Sequence, residues 1–78
     1  MTPGLEVVVD TVSTVLNVEK AEITISSGLG VTKGWDSIAH TRIIIELEMV
    51  LNITIPFEQL DLLICVESLA QFVDSLEA

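Results

Sequence analysis

The sequence predicts an all-α fold: a small four-helix bundle with a long loop between helices 1 and 2 and a short third helix. Three observations predict it. Apolar residues recur at three- and four-residue steps in separate stretches of the chain, the spacing of one helix face. Gly28, Gly30 and Gly34, with Ser26, Ser27 and Thr32, break any regular period between the first two such stretches. Half of the 78 residues are apolar, mostly Val, Ile and Leu, which is enough for one compact core and argues against disorder.

Residues 3–16 read as the first helix. Thr2 suits the N-cap and Pro3 the first helical position. Leu5, Val8, Val9, Val12, Val15 and Leu16 form one apolar stripe, with Glu6 and Asp10 off it. The Val-rich stretch 7–9 also suits a strand, but the helical period holds across the whole segment. Residues 17–35 form the long connection, with Ile23, Ile25, Leu29 and Val31 as apolar pins that hold it on the core. Connections longer than about 12–15 residues usually have a function or are disordered, and the pins argue for order. Residues 37–51 read as the second helix, stopping near Asn52. Pro56 opens a short third helix over 56–63. Residues 66–77 make the fourth, with Val66, Leu69, Ala70, Val73 and Leu76 on one face.

A chain of this length buries only about 60% of the surface its unfolded form exposes, so residues 1–78 are expected to form one domain. Twelve Asp and Glu against three Lys and Arg leave a net charge of −9. Such a surface repels nucleic acid and anionic membranes, and it suits partners with basic patches. Cys65 is the only cysteine, so no intramolecular disulfide forms, which fits a reducing compartment. The N-terminal "MTPGLEVVVD" lacks the basic start of a signal peptide. No apolar run approaches the ~20 residues that span a bilayer. The expectation is a soluble, cytoplasmic monomer without membrane insertion.

The second helix is apolar on nearly all sides. Advancing about 100° per residue from Ser37, Ile44, Leu47 and Leu51 share one side. Ile38, Ile45 and Met49 share a second, and Ile43 and Val50 a third. Only Arg42 with Glu46, and Thr41 with Glu48, leave polar strips. Full burial of one helix is hard to arrange in so small a domain, so one apolar face is expected in solvent, where such patches meet partners. Arg42 precedes Glu46 by four, the weaker orientation for an ion pair.

Asp36-Ser37, between the glycine-rich loop and this helix, admits three readings. Either residue caps the helix, a contribution of ~1 kcal/mol. Alternatively Ser37 is a hydrolase nucleophile with His40 as base, a poor fit: no Gly-x-Ser-x-Gly elbow and no third orienting group is present. Or Ser37 carries a phosphate ester, since free N–H groups and the positive end of the helix dipole stabilise a phosphate there.

The run "DSIAHTRIIIELEMVLNITIP", residues 36–56, resembles the second helix and following turn of acyl carrier proteins: Asp-Ser, an apolar helix ending in acidic residues, then Ile-Pro at the family spacing. In outline the resemblance covers the whole chain, including "VESLAQFV" in the last helix, and "WDS" resembles stand-alone bacterial carriers in particular. It implies that Ser37 receives 4′-phosphopantetheine from coenzyme A through a dedicated phosphopantetheinyl transferase. The terminal thiol of that group then holds an acyl or aminoacyl cargo as a thioester. The resemblance also implies a carrier that catalyses nothing. It implies that Asp36 contacts the transferase, and that Ile38, Ile45, Met49, Glu46 and Glu48 dock partner enzymes. Those partners would be an acyl or aminoacyl ligase or transferase and downstream biosynthetic enzymes. The contrasting expectation is an unmodified helical module that binds partners through the second helix.

The chain departs from fatty-acid carriers at Ala39 and Arg42, where those have acidic residues, which points to specialised partners. His40 is read either as a boundary residue with its tip in water, or as a polar residue at a cargo cavity or beside the group on Ser37. In the second case short, polar or aminoacyl cargo is favoured over long alkyl chains, because burying an unpaired imidazole is costly. Trp35 covers the core at the loop–helix junction, or contacts the tether or transferase. Cys65 is a small buried residue at the position where the last helix is capped; a redox role is the minor reading. Asp61 is a solvated charge. No spacing suits a structural metal site, and neither a P-loop nor a dinucleotide fingerprint is present.

The charge imbalance generates a first prediction. Self-repulsion weakens a compact chain of this charge, so moderate salt or a divalent cation should raise the melting temperature measured by circular dichroism. A melting temperature that stays flat or falls with salt contradicts it.

Overall fold

A computed structural model of the chain describes residues 2–76. Helix α1 spans Pro3–Leu16, α2 spans Ser37–Leu51 and α3 spans Val66–Ser75. Thr2 starts α1 as expected, its Oγ1 accepting the Leu5 N–H at 3.1 Å. Asn17 and Asn52 end α1 and α2 in the left-handed conformation, with φ of 57° and 54°. Asparagine tolerates that region better than most residues, so both stops are local chemistry.

The order of packing follows from the apolar stripes. Both α2 and α3 pack against α1, α3 more extensively. Val8 and Val12 of α1 meet Ile43 and Leu47 of α2 and Val66 and Leu69 of α3 in one buried cluster. The two ends of the chain are also joined. The Gly4 N–H, one of the donors a helix start leaves without an internal partner, is donated to Asp74 Oδ1 at 2.8 Å.

The long connection is ordered by backbone pairing. It holds a 3₁₀ turn at Lys20–Glu22, and the ion pair from Lys20 to Asp10 ties that turn to α1. Further on, Gly28 forms an isolated antiparallel bridge with Cys65. The Leu29 N–H is donated to the Ile64 carbonyl at 2.8 Å, and the Val66 N–H to the Ser27 carbonyl at 2.9 Å. A Cβ on Gly28 would lie 2.7 Å from the Ile64 oxygen, so the approach of the two segments requires glycine there. The loop is thereby stitched to the start of α3.

Three expectations are corrected. The third helix expected over 56–63 is a 3₁₀ turn at Phe57–Gln59 followed by further turns. The chain therefore has three α-helices among the described residues. Segments this short nucleate poorly, and this one buries little: Leu63 is inside, whereas Phe57 and Leu62 are largely in solvent. With little apolar area to bury, only i→i+3 bonds form, such as Gln59 N–H to the Pro56 carbonyl at 3.0 Å. Of the four expected loop pins, Ile23 is buried and Leu29 packs on the core, but Ile25 and Val31 are exposed. Backbone pairing does the pinning in their place. The last helix ends at Ser75, and residue 77 of the expected range lies outside the described residues.

Cys65 is half-buried at the N-cap of α3, but the capping oxygen belongs to Ser68, whose Oγ accepts the Cys65 N–H at 3.3 Å.

The junction of α1 and α3 yields a prediction. A Cβ at Gly4 would lie 2.5 Å from Asp74 Oδ1 and 2.7 Å from the Ala70 carbonyl oxygen. Gly4→Ala should cost about 1–3 kcal/mol, the usual cost of overpacking, measured by urea unfolding. An unchanged midpoint would show that the two helices can separate freely.

Candidate functional site at the start of helix α2

The start of α2 is built from residues that face different ways. Asp36 is extended (φ −98°, ψ −174°), and its Oδ1 accepts the Ala39 N–H at 2.8 Å. The Asp36 carbonyl accepts the His40 N–H at 2.8 Å. Asp36 therefore supplies the cap, which leaves the neighbouring serine free of that task. Ser37 is the first residue of the helix and is exposed. Among the described residues its hydroxyl makes no hydrogen bond; only its carbonyl is engaged, accepting from Thr41 Oγ1 at 3.0 Å. The N–H groups of Ser37 and Ile38 have no intrahelical acceptor, as at any helix start. An exposed, unbonded hydroxyl beside free N–H donors at the positive end of a helix fits a phosphate ester.

Beneath this hydroxyl the junction is firmly held. Trp35 is 1% exposed, the most deeply buried aromatic side chain in the core. Its backbone N–H is donated to the Thr32 carbonyl at 3.0 Å, and its carbonyl accepts the Gly30 N–H at 3.1 Å. The indole Nε1–H is donated to His40 Nδ1 at 2.9 Å. The two rings stack with centroids 5.9 Å apart and an interplanar angle of 28°. Trp35 thus covers the core at the junction.

An Nδ1 that accepts a hydrogen bond puts the ring proton of a neutral imidazole on Nε2. That Nε2 is buried and has no partner, an arrangement that costs about 1–3 kcal/mol. Burial holds the His40 pKa below its ordinary value of 6.5. The reading of His40 with its polar tip in water is therefore corrected: Nε2 is shielded from water, and the Trp35 bond holds the ring in that position. The pairing of Ser37 with His40 as nucleophile and base also fails, because Nδ1 is occupied by Trp35 and Nε2 is buried without contact to Ser37.

Along α2, Ile44, Leu47 and Ile43 point inward and Leu51 packs at the edge of the core. Ile38, Ile45 and Met49 are exposed, at 73%, 49% and 69%. Arg42 and Glu46 are exposed and unpaired with each other; the ion pair found among the described residues is that of Lys20 with Asp10. Glu46 borders a groove shared with Val7, Asp10, Thr11, Thr14 and Val50. Glu48 is half-buried. Its Oε2 accepts the Ile55 N–H at 2.7 Å, which holds the chain leaving α2 and occupies the carboxylate. Periodicity carries no signal for this contact, for the Trp35–His40 bond or for Asp74 at Gly4, since each joins different segments or faces. No group of His, Cys, Asp or Glu among the described residues is arranged to hold a metal ion.

The family model for the phosphopantetheine attachment site matches residues 6–73, which include all of α2 and most of α1 and α3. The chain belongs to that family, whose prosthetic group is 4′-phosphopantetheine. A comparison with curated proteins returned no match. Domains of the family serve as carriers and interact with transferases and biosynthetic enzymes. No helix among the described residues is long and apolar enough to cross a membrane.

His40 yields a prediction of pH dependence. Its folded-state pKa is depressed, so near pH 6.5 the unfolded chain binds more protons than the folded one. Its stabilising contribution is complete above 6.5, declines as pH falls toward the folded-state value, and stays constant below that. The melting temperature of the wild type, taken relative to His40→Leu at each pH, should fall in that window. A pH-independent difference contradicts a neutral, buried imidazole.

Proposed function

We propose that the chain is a carrier protein, with residues 1–78 as a single carrier domain, that holds 4′-phosphopantetheine on Ser37. The observation that carries this reading is the exposed, unbonded Ser37 hydroxyl at the start of α2, in a chain of the phosphopantetheine attachment-site family. Asp36 has its side chain committed to the Ala39 N–H, so Ser37 is the residue left free to react. Ser37 Oγ bonds to the phosphorus bearing the pantetheine arm of coenzyme A. The pyrophosphate bond to the nucleotide portion breaks, that portion leaves, and the serine proton passes to a base of the transferase. The free N–H groups of Ser37 and Ile38 would stabilise the phosphodiester charge, and Asp36, beside Ser37, would contact the transferase. When bound, the group supplies a thiol that holds acyl or aminoacyl cargo as a thioester.

The rest of the chain presents that cargo and catalyses nothing. A tether raises the effective concentration of its cargo at each active site the carrier docks on. Ile38, Ile45 and Met49 form the docking face, with Glu46 and Glu48 at its edges. They are exposed apolar residues on the helix that bears Ser37, and methionine adapts to differing partner surfaces. Arg42 stands within this face where fatty-acid carriers are acidic, which supports partners of a specialised biosynthetic pathway: a transferase, an acyl or aminoacyl ligase, and the enzymes that use the cargo. The net charge of −9 disfavours nucleic acid as a partner. A cytoplasmic monomer fits this role.

The test is mass spectrometry after incubation with coenzyme A and a broad-specificity phosphopantetheinyl transferase. The expected result is the gain of one 4′-phosphopantetheine, absent in Ser37→Ala. No gain under conditions that modify a control carrier would replace this reading with an unmodified helical interaction module that binds through α2.

A further inference from the structure

We propose that His40 is a positioning residue for Ser37: by accepting the buried Trp35 indole N–H, it holds the Asp36–Ser37 junction in the shape in which the serine is modified. This rests on Ser37 being the attachment residue.

The junction is bracketed on both sides. Before it, the Trp35 backbone is bonded to Thr32 and Gly30. After it, the Ala39 and His40 N–H groups are bonded to Asp36. These two sets of bonds share no atoms. The 2.9 Å bond from Trp35 Nε1 to His40 Nδ1 joins them, side chain to side chain, across the residues that lie between. Without it, no hydrogen bond among the described residues ties the first turn of α2 to the loop, and the ring stack of Trp35 on His40 remains as contact without direction. Asp36 and Ser37 are the residues whose geometry the transferase must meet.

The choice of residue supports a positioning role over packing. An aromatic hydrocarbon ring at position 40 would stack on Trp35 equally well. The imidazole adds an acceptor for the indole and also a buried Nε2 without any partner. A side chain selected for stability alone would avoid that orphan donor. The acceptor is what histidine adds, and burial keeps the ring neutral so that Nδ1 continues to accept near neutral pH. Small displacements of a reacting group lower rates far more than they lower stability, so a bond of modest strength has a large effect at this place.

Three variants of the unmodified protein separate the roles. His40→Phe keeps the stack and removes the acceptor. His40→Asn removes the ring and keeps an acceptor, since its Oδ1 is as many bonds from the backbone as Nδ1. Trp35→Phe removes the donor. Amide hydrogen exchange at residues 39 and 40, referenced to Leu47, reads the junction directly and needs no modification. The kcat and KM of transfer to Ser37, with melting temperatures, complete the set. In His40→Phe and Trp35→Phe, exchange at residues 39 and 40 should rise and kcat should fall by about tenfold with little change in KM, a modest instance of misplacement. His40→Phe should melt no lower than the wild type, and His40→Asn should restore both readouts to within about twofold. The proposal is overturned if His40→Asn behaves as His40→Phe does, or if exchange and kcat merely follow the melting temperature. Failure of the carrier reading looks different: no form gains mass, which removes the positioning role, and the exchange data then report only whether the Trp35–His40 bond orders the junction.

Discussion

The burial of Trp35 is the constraint on which the rest of this molecule depends. Its indole lies in the core, yet the next two residues are in solvent. The chain therefore has to turn from inside to outside at one point and start a helix there at once. Asp36 takes the extended conformation that a cap requires, and its carboxylate accepts the Ala39 N–H. Ser37 is then placed at the surface on a support that cannot easily shift. The glycine-rich loop contributes by returning the chain to this point, and its pairing with the start of α3 holds it there.

The second consequence concerns α2 as a whole. A helix anchored at its start by a buried side chain cannot rotate about its axis, so which of its faces meets α1 is settled. Ile43, Ile44 and Leu47 fill the core, and the equally apolar Ile38, Ile45 and Met49 remain outside because α1 has no further side to offer. At its far end, Glu48 holds the departing chain through the Ile55 N–H. The helix is thus fixed at both ends and open along one apolar face. That combination of rigid support, reactive end and exposed side suits an element that several enzymes must grip in turn.

Much of this was legible in the sequence, for identifiable reasons. Thr2-Pro3 and the valine stripe mark α1 because capping and helical period are local properties. A step of about 100° per residue separates Ile44 and Leu47 from Ile38 and Ile45 without any structure. The short segment after Pro56 misled because helix signals there were not backed by apolar area to bury, and Phe57 and Leu62 stay in solvent. Ile25 and Val31 misled in the opposite sense, since the loop is held by backbone bonds that side-chain type does not reveal. Of the site, the exposed serine and its cap could be read from Asp36-Ser37 and the helix that follows. The histidine could not: its bond to Trp35 depends on both side chains turning inward at the first turn, and the Gly4–Asp74 contact joins residues 70 apart.

The central claim is that this chain works in its cell as a carrier modified at Ser37. Trypsin cuts after Lys33 and Arg42, so residues 34–42 leave as one peptide whose only serine is Ser37. Tandem mass spectrometry of that peptide, from protein isolated out of cells that make it naturally, tests the claim most directly. The account predicts that the peptide carries 4′-phosphopantetheine on Ser37. Recovery of the peptide only in unmodified form, or of the group on another peptide, would contradict it.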